Sequence, residues 1–293
     1  MRLATIGGRA HVIDERGGLD IAAASRGRFP ASMRALLAEF DAVRDWMRAQ
    51  APAPDPQLSM AALDANLALL DAPVSDPTQI FAVGLNYQAH GDEVSMAVPS
   101  QPMIFAKFAS SLAGAGASVP LPAATVDWEV EMVVVIGRGG RHIPRDEAHR
   151  HVAGYCVGQD FSERALQMLN NPPQFGLAKS FEGFSPIGPW ITTADEIDSS
   201  NLRIACANQW ETLQDGNTCQ MIFDVASLVS YLSWICELRT GDLIFSGTPS
   251  GVGMGRKPPR YIESGWVVES TIEGLGRLRN PMIGTPRSGV QGQ

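Results

Sequence analysis

A β-branched apolar run that opens on two acids constrains this chain most: Asp127-Trp128-Glu129-Val130-Glu131-Met132-Val133-Val134-Val135-Ile136-Gly137. It is short, rich in valine and closed by glycine, which marks a buried strand. Side chains alternate along a strand, so Glu129 and Glu131 are expected on one face, about 6–7 Å apart along the chain. Two carboxylates at the mouth of an apolar strand repel each other unless a cation lies between them. Hard divalent ions such as Mg²⁺, Mn²⁺ or Ca²⁺ take oxygen ligands of this kind. Ordinary surface acids at a strand end are the plainer alternative.

A third carboxylate, Asp160, ends a second glycine-led strand, Gly154-Tyr155-Cys156-Val157-Gly158-Gln159-Asp160. Good helix formers follow at Ala165-Leu166-Gln167-Met168-Leu169. Asp160 therefore reads either as a helix cap or as a third metal ligand in a strand-exit crevice. Arg164 and Gln167, three apart on that helix, can bind a substrate carboxylate or oxo group. Lys179 lies in an apolar, glycine-rich setting, so it is expected to be partly buried, paired with these acids, and able to stabilise an enolate. His90 and Glu93 are spaced to meet on one helical turn, with Asp92 as a neighbouring competitor. A carboxylate beside an imidazole makes it a better general base. Thr248 sits in Ser246-Gly247-Thr248-Pro249-Ser250-Gly251-Val252-Gly253, whose glycines let backbone amides approach an anion. The loop lacks the Gly-Lys-Ser/Thr ending of a phosphate loop and no helix pattern follows it.

These segments, with Gly84-Leu85-Asn86-Tyr87-Gln88-Ala89-His90-Gly91-Asp92-Glu93, Ala178-Lys179-Ser180-Phe181 and Gly241-Asp242-Leu243-Ile244-Phe245, resemble the fumarylacetoacetate hydrolase family in content and order. The finer look, carried by Trp128, Ser162-Glu163-Arg164 and the stretch from Gly255 to Tyr261, is to bacterial hydrolases of 2,4-dioxo sugar acids and acylpyruvates. The resemblance implies a mainly β, mixed fold of β-roll type and a lid whose His90 and Glu93 activate water. It also implies a homodimer. The leading expectation is a Mg²⁺- or Mn²⁺-dependent hydrolase of a C–C bond in a 2,4-dioxo acid. Glu129, Glu131 and Asp160 hold the metal, His90, Glu93 and Lys179 act in catalysis, and Arg164, Gln167 and Thr248 bind substrate. Decarboxylation, tautomerisation or hydration of a 2-oxo acid through the same enolate is the alternative, and a non-catalytic binding protein a third. Gln159, where Asn is usual, and Ala178-Lys179-Ser180-Phe181-Glu182-Gly183-Phe184 depart from the commoner pattern and are expected to line the pocket.

The first 73 residues read as a small α+β domain, with an amphipathic helix from Met33 to Met47, and residues 74–293 as the catalytic domain. Beyond residue 73, strands are expected at Ile80–Val83, Ser118–Leu121, Met132–Ile136, Tyr155–Val157, Leu202–Ala207, Leu243–Ser246 and Val267–Ile272. A helix is expected at Val225–Leu238. Repeated turns between short runs argue against an alternating parallel α/β fold. A net charge of −8 argues against nucleic acid or an anionic membrane as partner. No apolar run reaches 18 residues and no signal core opens the chain, so a cytoplasmic protein is expected. The four cysteines are scattered without a Cys-x-x-Cys pair and are read as reduced thiols.

Overall fold

The computed structural model describes residues 1–284 other than 51, 95 and 98, so the chain's last nine residues lie outside it. The apolar run forms a strand, Val130–Ile136, buried along its whole length. It lies inside an 11-stranded sheet, antiparallel to Val152–Gln159 on one side and to Leu243–Phe245 on the other. From edge to edge the order is Gly17–Asp20, Arg9–Asp14, Arg2–Ile6, Ser185–Thr193, Val152–Gln159, Val130–Ile136, Leu243–Phe245, Ile80–Gly84 and Met103–Ala106. The two short strands Leu70–Asp71 and Leu112–Ala113 attach beside this path.

Alternate side chains of the run serve two cores. Val130, Met132, Val134 and Ile136 join Trp128, Ile204, Val268 and Leu278, whereas Val133 and Val135 join Leu3, Leu36, Ile80 and Phe245. Burial on both faces explains why the run is continuously apolar rather than alternating. A second sheet lies across the first core, ordered Thr212–Asn217, Arg203–Ala207, Val267–Ile272, Gly276–Ile283 and Val119–Pro120. The fold is mixed and mainly β, with mostly antiparallel sheets and a few helices, as expected.

Every strand anticipated beyond residue 73 is present with ends shifted by a few residues. Three longer ones were not anticipated: Ser185–Thr193, Thr212–Asn217 and Gly276–Ile283. Pro186 and Pro189 disguise the first of these. Its ladder with Val152–Gln159 is interrupted between Tyr155 and Val157, and Pro189 falls in that gap, where no backbone donor is needed. The expected helix from Met33 to Met47 is two helices, Met33–Ala38 and Phe40–Gln50, broken at Glu39. The apolar stripe continues across the break, so periodicity alone merges them. The two sides of residue 73 share one sheet, because Arg2–Ile6 pairs with Ser185–Thr193, and they share the core around Val133. The later helix, Val225–Ile235, is capped by Asp224 and ends three residues early.

Candidate active site

The ladder sets Val130 opposite Gln159 and Glu131 opposite Gly158. One step further, the Asp160 N–H donates to the Glu129 carbonyl at 2.9 Å. Glu129, Glu131 and Asp160 thus meet at the strand mouth, each offering an oxygen within 4.8 Å of the others, and all three are buried. Asp160 does not cap the helix that follows. Glu163 does, accepting from the amides of Ala165 at 3.2 Å and Leu166 at 2.6 Å.

Cations surround the acids. Lys179 Nζ donates to Glu129 Oε2 and Asp160 Oδ2, both at 2.7 Å. Arg164 donates from Nε to Asp127 Oδ2 at 2.8 Å and from Nη2 to Glu129 Oε1 at 2.7 Å, and its Nη1 holds Gln167 Oε1 at 2.8 Å. Sequence reasoning missed Lys107, whose buried Nζ donates to Asp160 Oδ1 and to the Lys179 carbonyl. Its setting between Ala106 and Phe108 is the same signal that drew attention to Lys179.

Four carboxylates (Asp127, Glu129, Glu131 and Asp160) therefore face three cations (Lys107, Lys179 and Arg164), and Glu131 pairs with none of the three. Its hydrogen bond is to the Gly247 amide, at 2.7 Å. Burial, then the charges of Asp160 and Glu129, push the Glu131 carboxyl well above the usual range. Burial acts on Glu129 in the same sense, but Lys179 and Arg164 outweigh it and hold that group well below the range. Burial lowers Lys179, yet Asp160 and Glu129 overcome it and keep the ammonium charged. A buried cluster with one uncompensated carboxylate and three convergent hard oxygens fits a divalent cation. Nothing in the donor set selects among Mg²⁺, Mn²⁺ and Ca²⁺.

Glu129 and Glu131 open onto a cavity of about 110 Å³, which His90, Arg164, Gln167, Lys179 and Thr248 also line. Its remaining wall is apolar, chiefly Met96, Met103, Phe105, Met168, Phe175 and Met254. His90 is buried on the helix Gln88–Glu93. Its Nδ1 lies 3.5 Å from Glu93 Oε2 and has no hydrogen-bond partner among the described residues. The Glu93 carboxylate accepts from the Gly251 amide at 3.0 and 3.1 Å. The competitor Asp92 is exposed and bonded to Gln88 at 2.9 Å. The Thr248 hydroxyl is engaged internally, donating to the Val130 carbonyl and accepting from Gln214, both at 2.8 Å. The expectation that Gln159 and the segment from Ala178 to Phe184 line the pocket holds for Lys179 and is corrected for Gln159, which does not reach the cavity. The longer Gln159 side chain turns away, behind the ligand strand.

Residues 79–283 match the family model for the fumarylacetoacetate (FAA) hydrolase C-terminal domain. The human mitochondrial oxaloacetate tautomerase FAHD2A is 44% identical over 215 residues, which cover 72% of this chain and 68% of the relative. A solved protein from Mycobacterium smegmatis superposes with a TM-score of 0.90 at 46% identity, over 97% of this chain and 99% of that one. Maleylpyruvate hydrolase from Sphingobium sp. SYK-6, solved with manganese(II) and pyruvate, gives 0.78 at 28% identity over 98% and 100%. With ladder, acid cluster and sequence in agreement, the chain belongs to the fumarylacetoacetate hydrolase family and is an enzyme of that family.

Proposed function

We propose that the protein moves a proton at the carbon beside the carbonyl of a small 2-oxo acid, a keto–enol tautomerisation. The observation that carries this reading is a single buried imidazole, His90, unpartnered at Nδ1 on the wall of a small cavity that ends in the acid cluster. One base that takes and returns a proton suffices for tautomerisation. The cavity volume of about 110 Å³ is well below the roughly 300–1,000 Å³ typical of sites for drug-sized ligands, which suits a small substrate. The name of the human relative, at 44% identity, supports the same reaction.

A divalent cation on Glu129, Glu131 and Asp160 would polarise the 2-oxo group as a Lewis acid. The chain's own groups do the rest. Lys179 has three N–H donors and gives two to Glu129 and Asp160, which leaves one for an enolate oxygen. Gln167 gives its carbonyl to Arg164 and keeps its NH₂ for the substrate. Glu93, with its Oε2 3.5 Å from His90 Nδ1, lies where it can orient the imidazole. The methionine and phenylalanine wall excludes water, which strengthens each of these interactions.

The Sphingobium hydrolase supports a second reading, C–C cleavage of a 2,4-dioxo acid by water that His90 activates. One assay separates the two. Enol oxaloacetate and an acylpyruvate are offered with Mg²⁺ or EDTA, and both enol absorbance and released pyruvate are followed. The proposal expects Mg²⁺-dependent loss of enol absorbance without pyruvate release. Pyruvate released from the acylpyruvate, with no acceleration of enol decay, overturns it in favour of hydrolysis. Removing the base in His90→Ala should lower the rate by about two to four orders of magnitude. A variant within threefold of wild type would exclude His90 from the proton transfer.

A further inference from the structure

We infer that two buried glutamines outside the cavity, Gln159 and Gln214, are positioning residues that fix the peptide between Glu129 and Glu131 and thereby set the cluster's affinity for a cation. The ladder ends at Val130, so the amides at the strand mouth need other partners. The Glu129 N–H donates to Gln159 Oε1 and the Val130 N–H to Gln214 Oε1, each at 2.9 Å. Each glutamine is anchored at its far end. Gln159 Nε2 donates to Ser270 Oγ at 2.9 Å and Cys206 Sγ at 3.3 Å, both on the second sheet. Gln214 Nε2 donates to Thr248 Oγ1 at 2.8 Å and the Pro249 carbonyl at 2.7 Å. Thr248 closes the ring by donating to the Val130 carbonyl at 2.8 Å.

Each side chain thus has its acceptor and both donors engaged, and both are buried at 0% and 2% exposure. The two glutamine side chains, together with the Asp160 amide on the Glu129 carbonyl, therefore determine where Glu129 stands relative to Glu131. Outer contacts of this type orient ligands, and their loss typically costs 10–100-fold in metal affinity. The inference rests on the reading of the three acids as a cation site. The role assigned to Thr248 also changes from a substrate contact to part of this ring.

The test uses the full chain with Mn²⁺ as probe. Gln159→Met and Gln214→Met keep the side-chain length and remove the hydrogen bonds. Calorimetry should show Mn²⁺ affinity falling about 10–100-fold, and the bound-Mn²⁺ resonance should broaden as the ligands lose a single geometry. A purely structural role would lower the melting temperature and leave both readouts unchanged. Ser270→Ala removes the shorter of the two far anchors of Gln159, should weaken Mn²⁺ severalfold, and decides the matter if the methionine variants do not fold. Folded variants with wild-type affinity and line shape overturn the inference. Wild-type protein that takes up no Mn²⁺ overturns the cation reading beneath it, and that result appears before any variant is compared.

Discussion

Glu131 is the residue on which charge at the site turns, because burial and two acidic neighbours hold its pKa well above the ordinary value while no cation pairs with it among the described residues. In metal-free protein the unfolded chain ionises this group first. Its contribution to folding is therefore present at low pH and is lost as pH rises from the ordinary glutamate range through the raised folded value. Glu129 behaves in the opposite sense: its contribution is present above that range and lost as pH falls. A cation requires the Glu131 carboxylate, so uptake should release up to one proton below the raised pKa and affinity should climb with pH. Titrations in buffers of different ionisation heat measure that proton, and identical heats in all buffers would refute the assignment. Glu131→Gln should raise the melting temperature of metal-free protein and abolish Mn²⁺ uptake. The acids, Lys179, Arg164 and the His90–Glu93 pair were legible in sequence because each sits in a short, chemically distinctive stretch. Lys107 has the same apolar flanks as Lys179 but stands in none of those stretches, and its partner Asp160 lies 53 residues away. Lys107→Met removes one side of a buried pair and should destabilise the fold by about 3–5 kcal/mol, readable as a shift in urea midpoint; an unchanged midpoint would show the pair to be energetically idle.

Among elements, the loop from Ser246 to Met254 had its chemistry half legible. Its glycines were expected to bring amides to an anion, and they do, but the anions are the chain's own. Gly247 donates to Glu131, Gly251 to Glu93, and Gly253 and Met254 to Asp127. One loop therefore holds an acid of the buried cluster, the partner of the proposed base and the anchor of Arg164 in register. A run of letters can show that amides are accessible, but which carboxylates reach them is decided by sheets that bring residue 93 and residue 131 together. Space at Gly253 shows how closely the loop is packed: a Cβ there would lie 1.9 Å from the Arg260 carbonyl and 2.7 Å from Asp127 Oδ1. The first contact is with backbone, which cannot swing aside. Gly253→Ala should lower stability by about 1–3 kcal/mol and reduce kcat by more than the folded fraction accounts for, as Asp127 loses its grip on Arg164. Unfolding curves paired with kinetics on the folded protein check this, and wild-type behaviour in both would show that the loop yields freely. Strands such as Ser185–Thr193 stayed hidden for a related reason, because prolines that forbid pairing at one register are harmless at a bulge chosen by the neighbouring strand.

For the whole molecule, the open question is whether one chain covers its own apolar surface. The helix Val225–Ile235 buries Leu228, Val229 and Leu232 against the larger core. It leaves Trp234 at 65% and Ile235 at 61% exposed, with Ile222 at 36% just ahead of it. The edge-on imidazole of His142, 4.7 Å from the Trp234 ring, covers part of that face. A helix apolar on both sides and packed on one is suited to a second surface, and a two-fold dimer is the commonest way to supply it. A specific dimer requires about 800 Å² per partner, more than three side chains provide, so neighbouring surface must join them. We expect light scattering to give a mass near twice 31.4 kDa at micromolar concentration. Trp234→Asp places a charge at the centre of that face and should return the mass to one chain. It should leave the secondary structure intact, because the tryptophan side chain is largely exposed. If wild-type protein holds the single-chain mass through a tenfold rise in concentration, the exposed face has no second copy to meet. If Trp234→Asp stays dimeric, the two chains join elsewhere.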